Sequence, residues 1–261
     1  MNNELYWRLG FFISILAIMM LFEGLKPARK STVTAKHRWL GNFGLVLISS
    51  VIARLTVPIG LTALAIYNTE QGIGLFNFIQ IPLWLTIPFS ILLLDMLIYW
   101  QHRLFHQIPL LWSLHKVHHA DSHIDASTGL RFHPLEIVLS ILIKLVAVTA
   151  LGAPAIAILI FEIALNGFAL FNHANIRLAK KPEQVLRFVV ITQQLHRIHH
   201  SQLSNETNSN YGFSVIWWDK LFRSYKACAT EDDTRLQVGL SQYPANKKNA
   251  SIITLLLMPF K

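Results

Sequence analysis

Hydrophobic positions along this chain come in long blocks, not in strict alternation. A helix that crosses the hydrocarbon core of a bilayer needs about 20 mostly apolar residues, and several blocks approach or exceed that length. Residues 5–25 form the first, with no charge between Phe11 and Phe22. Residues 40–67 form the second, interrupted by Arg54 and Pro58, and residues 79–100 the third, with Asp95 near its end. Residues 135–151 and 154–171 are shorter and flank Gly152-Ala153, the pattern of a tight helical hairpin. A last apolar run, 251–260, is too short to span and is expected at the membrane interface. The first block lacks a basic start and a small-residue cleavage site, so a cleaved signal peptide is not expected. No internal repeat is visible. The pattern predicts an all-α integral membrane protein with four to five transmembrane helices.

Composition sharpens this reading. The 261 residues are 53% hydrophobic and only 14% charged, against about 25% charged in soluble domains. One cysteine, Cys228, excludes a disulfide framework, a Cys-rich zinc module and a thiolate-held iron–sulfur cluster. The net charge of +9 would suit nucleic acid, but its placement explains it otherwise. Lys26, Arg29, Lys30, Lys36 and Arg38 lie between the first two blocks, whereas residues 68–78 hold neither Lys nor Arg. Short cytoplasmic loops are enriched in Lys and Arg. The first loop is therefore predicted to be cytoplasmic, the basic residues are read as a solvated surface, and no nucleic-acid partner is implied. The third span then reaches the cytoplasm near Trp100, and the hairpin leaves it near His133 and returns near Asn172.

Eight of the 12 histidines sit in three pentads: HRLFH from His102 to His106, HKVHH from His115 to His119, and HRIHH from His196 to His200. All three fall on the cytoplasmic side, by a charge argument that did not use them. On a helix, residues three and four apart share a face. His102 and His106 form an i,i+4 pair. His115, His118 and His119, and likewise His196, His199 and His200, are expected to converge on one spot beside each helix. Histidine is a mediocre helix former and crowded imidazolium groups repel, so folding gives no reason for the clusters. Neutral imidazole is a metal ligand. Eight ligands exceed the four that a zinc ion takes, which suggests two metals, and iron, zinc and copper all suit imidazole. Haem would waste most of these ligands, and HExxH, with its general base, is absent. His37 and His123 read as ordinary surface or loop residues.

The order of these boxes and the spans between them resemble the fatty acid hydroxylase/sterol desaturase superfamily over roughly residues 88–226. LRFHPLE around His133, FNHAN around His173 and NYGFSVIWWDKLF from Asn210 to Phe222 carry the same resemblance. It implies a catalytic region at 79–228, after N-terminal spans and a basic loop (1–78) and before a C-terminal tail (229–261). It implies a cytoplasmic helical cap with a non-haem di-iron centre, two Fe per chain, for which zinc could substitute in recombinant protein. It further implies O2, a lipid substrate from the bilayer, and electrons from a separate ferredoxin, cytochrome or reductase. The reaction would hydroxylate or desaturate a C–H bond of a fatty acyl chain or a sterol or isoprenoid. His133 and His173 join the eight pentad residues to make ten ligands, five per iron with one position open. His133, before a proline at a helix start, could instead be a cap. Some members carry a further histidine one turn after His173, where this chain has Arg177.

Ligating imidazoles usually donate their other N–H to a carboxylate or carbonyl. Asp95 shares a helical face with Tyr99, His102 and His106, and Glu162 and Asn166 share one with His173. Asp121 and Asp219 are the other carboxylates expected to orient a histidine; Asp219 could instead cap a helix, and Asp95 could be a helix-end charge. Lys144 and Glu162 sit at nearly equal depth in the hairpin. Either they pair with each other, or Lys144 snorkels and Glu162 faces the metal site. Two rival functions use the same ligands: a zinc-dependent lipid hydrolase, and a non-enzymatic metal-binding or transport protein. The latter would place ligands near the bilayer midplane.

Overall fold

The computed structural model describes residues 3–30 and 35–261. It is all-helical, with no extended sheet among the described residues. Five apolar helical segments are long enough to cross a membrane: Glu4–Leu25, Ala35–Phe78, Leu83–Gln107, Pro134–Leu151 and Ala155–His173. The chain is an integral membrane protein. Helix α1 is Glu4–Leu25. The second segment is not one helix: α2 (Ala35–Thr56) stops short of Pro58, and α3 (Leu61–Glu70) and the short α4 (Leu75–Phe78) follow. Proline has no N–H and disfavours helical backbone in the residue before it, which breaks the segment at 57–60.

Helix α5 (Leu83–Gln107) begins after Pro82 and runs seven residues past the expected span. Its 25 residues reach about 37 Å at 1.5 Å per residue, more than the roughly 30 Å hydrocarbon core. The excess is the stretch carrying His102 and His106. Helix α6 (Pro109–His119) follows at once, with Pro109 as its first residue. A 3-10 turn, Ala126–Leu130, leads to the hairpin of α7 (Pro134–Leu151) and α8 (Ala155–His173). Gly152 closes α7 at φ 65°, a conformation that glycine adopts without a Cβ penalty. Beyond the hairpin come α9 (Lys180–Leu186), α10 (Gln193–His199), α11 (Ser204–Thr207), α12 (Trp217–Leu221) and α13 (Ile252–Leu257). In this last helix Leu255 is buried, and Ile253 and Leu257 are exposed.

The two ends of the bundle differ in chemistry. At one, Asn68 reaches Thr149 and Gly74 lies against Gly152, so the loop without Lys or Arg meets the hairpin turn. At the other, the basic loop meets the histidine-bearing segments. Ala28 N–H donates to the Asn175 carbonyl, and the Glu23 carboxylate accepts from the N–H groups of Ala126 and Asn175. Arg38, expected on the surface, is 1% exposed. Its guanidinium donates to Asp121 at 2.8 and 2.9 Å and to Asp125 at 2.5 Å. A Lys/Arg count does not distinguish a solvated cation from a paired one.

Leaving a buried charge without its partner costs about 3–5 kcal/mol. Arg38→Met is expected to destabilise the protein by about that amount in denaturant unfolding in detergent. Lys36→Met, at an exposed position on the same helix, should change it little.

Candidate metal centre

Nine histidines gather into two groups. His102, His106, His115, His119 and His199 form one; His118, His173, His196 and His200 form the other. Within each group, one ligand nitrogen per residue lies within 4.8 Å of every other. Helix α5 serves only the first group, and α8 only the second. Helices α6 and α10 serve both, which corrects the expectation that each triad converges on one spot. In α6 the i,i+4 pair His115 and His119 joins the first group, and His118 turns to the second. Around α10 the pair His196 and His200 joins the second group, and His199 turns to the first. Adjacent residues on an α-helix are about 100° apart around the axis, enough to aim neighbouring imidazoles at two positions.

The hydrogen bonds show which nitrogens are free. Nδ1 of His102 donates to the Tyr211 carbonyl, Nδ1 of His173 to Ala169 and Nδ1 of His199 to Ser209, each at 2.7 Å. Nδ1 of His115 contacts the Glu136 carboxylate at 2.7 Å. A neutral imidazole that donates from Nδ1 carries its lone pair on Nε2. Yet Nε2 of His199 lies 3.0 Å from Nε2 of His102, a contact between two lone pairs that no proton bridges. Nε2 of His173 lies 3.0 Å from that of His118 and 2.9 Å from that of His196. Nε2 of His106, His115 and His119 is buried with no partner at all. A cation satisfies all of these. With metal–nitrogen bonds of about 2.1 Å, ligands at right angles sit about 3.0 Å apart and tetrahedral ones about 3.4 Å. The donor set therefore fits two metal ions, and the closest pairs fit right-angled ligation.

Electrostatics prepares the ligands. Burial, followed by the neighbouring imidazoles, pushes His118, His119, His196, His199 and His200 well below the ordinary histidine range. They are held neutral, the form that binds metal. Phe132 stacks on His118 with centroids 4.4 Å apart, and Trp112 covers His106 at 5.0 Å and His119 at 5.4 Å. On the membrane side, a cavity of about 270 Å³ reaches His102, His115 and Glu136, and its far end touches Phe12, Lys144 and Leu165.

Comparison with known proteins agrees with this geometry. The family model "Fatty acid hydroxylase" matches residues 87–224. The chain belongs to the fatty acid hydroxylase family. Within it, similar relatives include the ornithine lipid hydroxylase OlsE of Rhizobium tropici, 25% identical over 86% of this chain and 68% of its own. The human alkylglycerol monooxygenase is 28% identical over 49% of this chain, but the match covers only 28% of that protein. The very-long-chain aldehyde decarbonylase GL1-8 of Oryza sativa subsp. indica is 28% identical over 83% of this chain and 81% of its own. No solved structure matches. The family and these relatives support an oxidoreductase.

A metal site needs oriented imidazoles, and the residues that orient these differ from most of those expected. His133, the tenth ligand anticipated, lies outside both groups. Its Nδ1 accepts from the Leu135 N–H, capping α7, and its Nε2 faces the Leu256 carbonyl at 3.2 Å. Asp95 touches no imidazole; it accepts from Trp218 Nε1 at 2.8 Å. Asp121 binds Arg38 and Thr128 instead. Arginine charge overrides the opposing effect of burial and holds its carboxyl well below the usual range. Glu162 forms an ion pair with Arg8 of α1, not with Lys144, and the Asn166 amide turns back to the Glu162 carbonyl. Asp219 acts through backbone: it accepts from the N–H groups of Tyr211 and Gly212 at 2.8 Å, fixing the segment whose carbonyl holds His102. Its carboxyl is raised to about 6 by burial, against the hydrogen bonds from Ser224, Gly212 and Tyr211. Glu136, among the described residues the one carboxylate hydrogen-bonded to an imidazole of the two groups, was not anticipated, although it ends the LRFHPLE motif.

Removing an outer partner of a ligating histidine typically weakens metal binding about ten- to a hundredfold. Glu136→Ala is expected to show that loss in chelator competition followed by elemental analysis. Asp95→Asn, which meets no imidazole, should retain metal as the unaltered protein does.

Proposed function

We propose that this protein is a membrane-bound non-haem di-iron oxygenase that hydroxylates a C–H bond of a lipid. The observation that carries the reading is the apolar cavity that ends on His102 and His115. A lipid chain there reaches the ligand cluster without leaving the membrane interior. His102, His106, His115, His119 and His199 would hold one iron, and His118, His173, His196 and His200 the other. Bound iron would supply O2 reduction and C–H oxidation, using electrons delivered from outside the chain.

The chain's own residues then do four things. The Ala169, Ser209 and Tyr211 carbonyls and the Glu136 carboxylate fix tautomer and ring orientation. Burial keeps His118, His119, His196, His199 and His200 neutral. Phe132 and Trp112 shield the rings from water. The cavity, lined by residues of the spanning helices and by His102 and His115, would hold a lipid chain beside the cluster. The second group would offer its metal four imidazoles, against five in the first. The positive-inside pattern supports a cytoplasmic position for this end. The exposed Lys26, Lys30, Lys180 and Lys181 at or near it suit an acidic electron-donor protein.

Freshly isolated active protein is expected to contain two iron atoms per chain by elemental analysis; one metal or none would contradict the ligand count. Heterologous overexpression should raise zinc content at the expense of iron, because such sites bind zinc more tightly than ferrous iron. His118→Ala and His199→Ala, one from each group, should each abolish lipid oxidation while membrane insertion persists. His37→Ala is the control. Mass spectrometry of membrane lipids with and without each variant gives the readout.

A further inference from the structure

Lys144 stands inside the membrane-spanning part of α7, yet the carboxylate at its depth is taken. Glu162 pairs with Arg8, and Arg8 also binds Glu4. Lys144 makes no hydrogen bond or ion pair among the described residues and senses Glu162 and Arg8 only at longer range. Its side chain lines the cavity that ends on His102 and His115. Glu136, Ser140 and Lys144 follow one another at single-turn spacing on α7, and all three line that cavity. Across from them, Gln101 donates Nε2 to Ser140 Oγ at 3.1 Å and leaves its buried Oε1 without a partner.

Polar groups within the membrane are costly unless they are satisfied. This largely apolar cavity holds an open donor, Lys144, on one side and an open acceptor, Gln101 Oε1, on the other. A pure hydrocarbon would leave the donor unmet, whereas an acyl oxygen accepts from it. We propose that Lys144 anchors the acyl oxygen of the substrate, a carboxyl or ester carbonyl, and so selects an acyl lipid over an alkane. Lys144 is thus a specificity-determining residue. Eight residues separate it from Glu136, about 12 Å along the helix. An extended chain advances about 1.2 Å per bond, so the carbon beside the histidines lies on the order of ten bonds from the anchored oxygen. The inference rests on the reading of the centre as a lipid oxygenase.

The test is equilibrium binding, measured without turnover. Radiolabelled palmitic acid, methyl palmitate and hexadecane are bound to the purified full chain and to Lys144→Met and Lys144→Gln. A charge-assisted or neutral hydrogen bond lost from a dry site should weaken both oxygenated probes about tenfold or more in Lys144→Met, with hexadecane within about twofold. Lys144→Gln keeps an N–H donor and should retain most of the ester binding while losing more of the acid. Parallel changes for all three probes, or no change, would overturn the proposal. If Lys144→Met fails to insert, Lys144→Gln decides: palmitic acid must weaken relative to hexadecane. Failure of the oxygenase reading would look different. The metal-loaded unaltered protein would oxidise no lipid, while the differences in binding persisted.

Discussion

Everything at the histidine end follows from the gathering of nine imidazoles, eight of them buried, in one place. Each has two nitrogens, and a buried polar atom without a partner is destabilising. For four of them the fold supplies a partner on one side, and the remaining nitrogens face one another or have none. Three backbone carbonyls and one carboxylate take the Nδ1 protons of His102, His173, His199 and His115. Nε2 of His102 then faces that of His199 at 3.0 Å, an arrangement that is repulsive by itself and would be cohesive around a cation. A bound cation would therefore couple metal binding to the packing of this end.

That arrangement needs a rigid frame, which comes from charge buried under the loop between α6 and α7. Arg38 of α2 grips Asp121 and Asp125, and Arg131 donates to the Val117 carbonyl of α6. Asp125 caps the 3-10 turn, whose Gly129 lies so close to the Ala169 carbonyl that a Cβ would sit 2.5 Å from it. Ala169 is the residue that orients His173. A mechanical path therefore runs from the start of α2 to a ligating imidazole through packed backbone.

Much of this was legible in the sequence. The lengths of the apolar blocks indicated the spans, and the pentads picked out eight of the nine histidines that gather into the two groups. What the chain could not announce was the identity of the partners. Backbone carbonyls leave no mark on side-chain identity, so Tyr211, Ser209 and Ala169 were invisible. Helical register put Asp95 on the face of His102, but register fixes a direction and not the neighbour found there; Trp218 occupies it. Equal depth suggested that Glu162 meets Lys144, yet α1 packs on α8 and brings Arg8 first. Glu136 had a signal, a carboxylate at the cavity-facing start of an apolar helix, where solvation alone does not explain it.

The division of each triad between two positions has a further consequence. Helices α6 and α10 each give two imidazoles to one group and one to the other. A twist of either helix that improves one site misaligns the other, so neither position can drift independently in evolution or in thermal motion. The two short helices work as a yoke: they hold the sites at a fixed separation, and a lesion in either helix spreads to both.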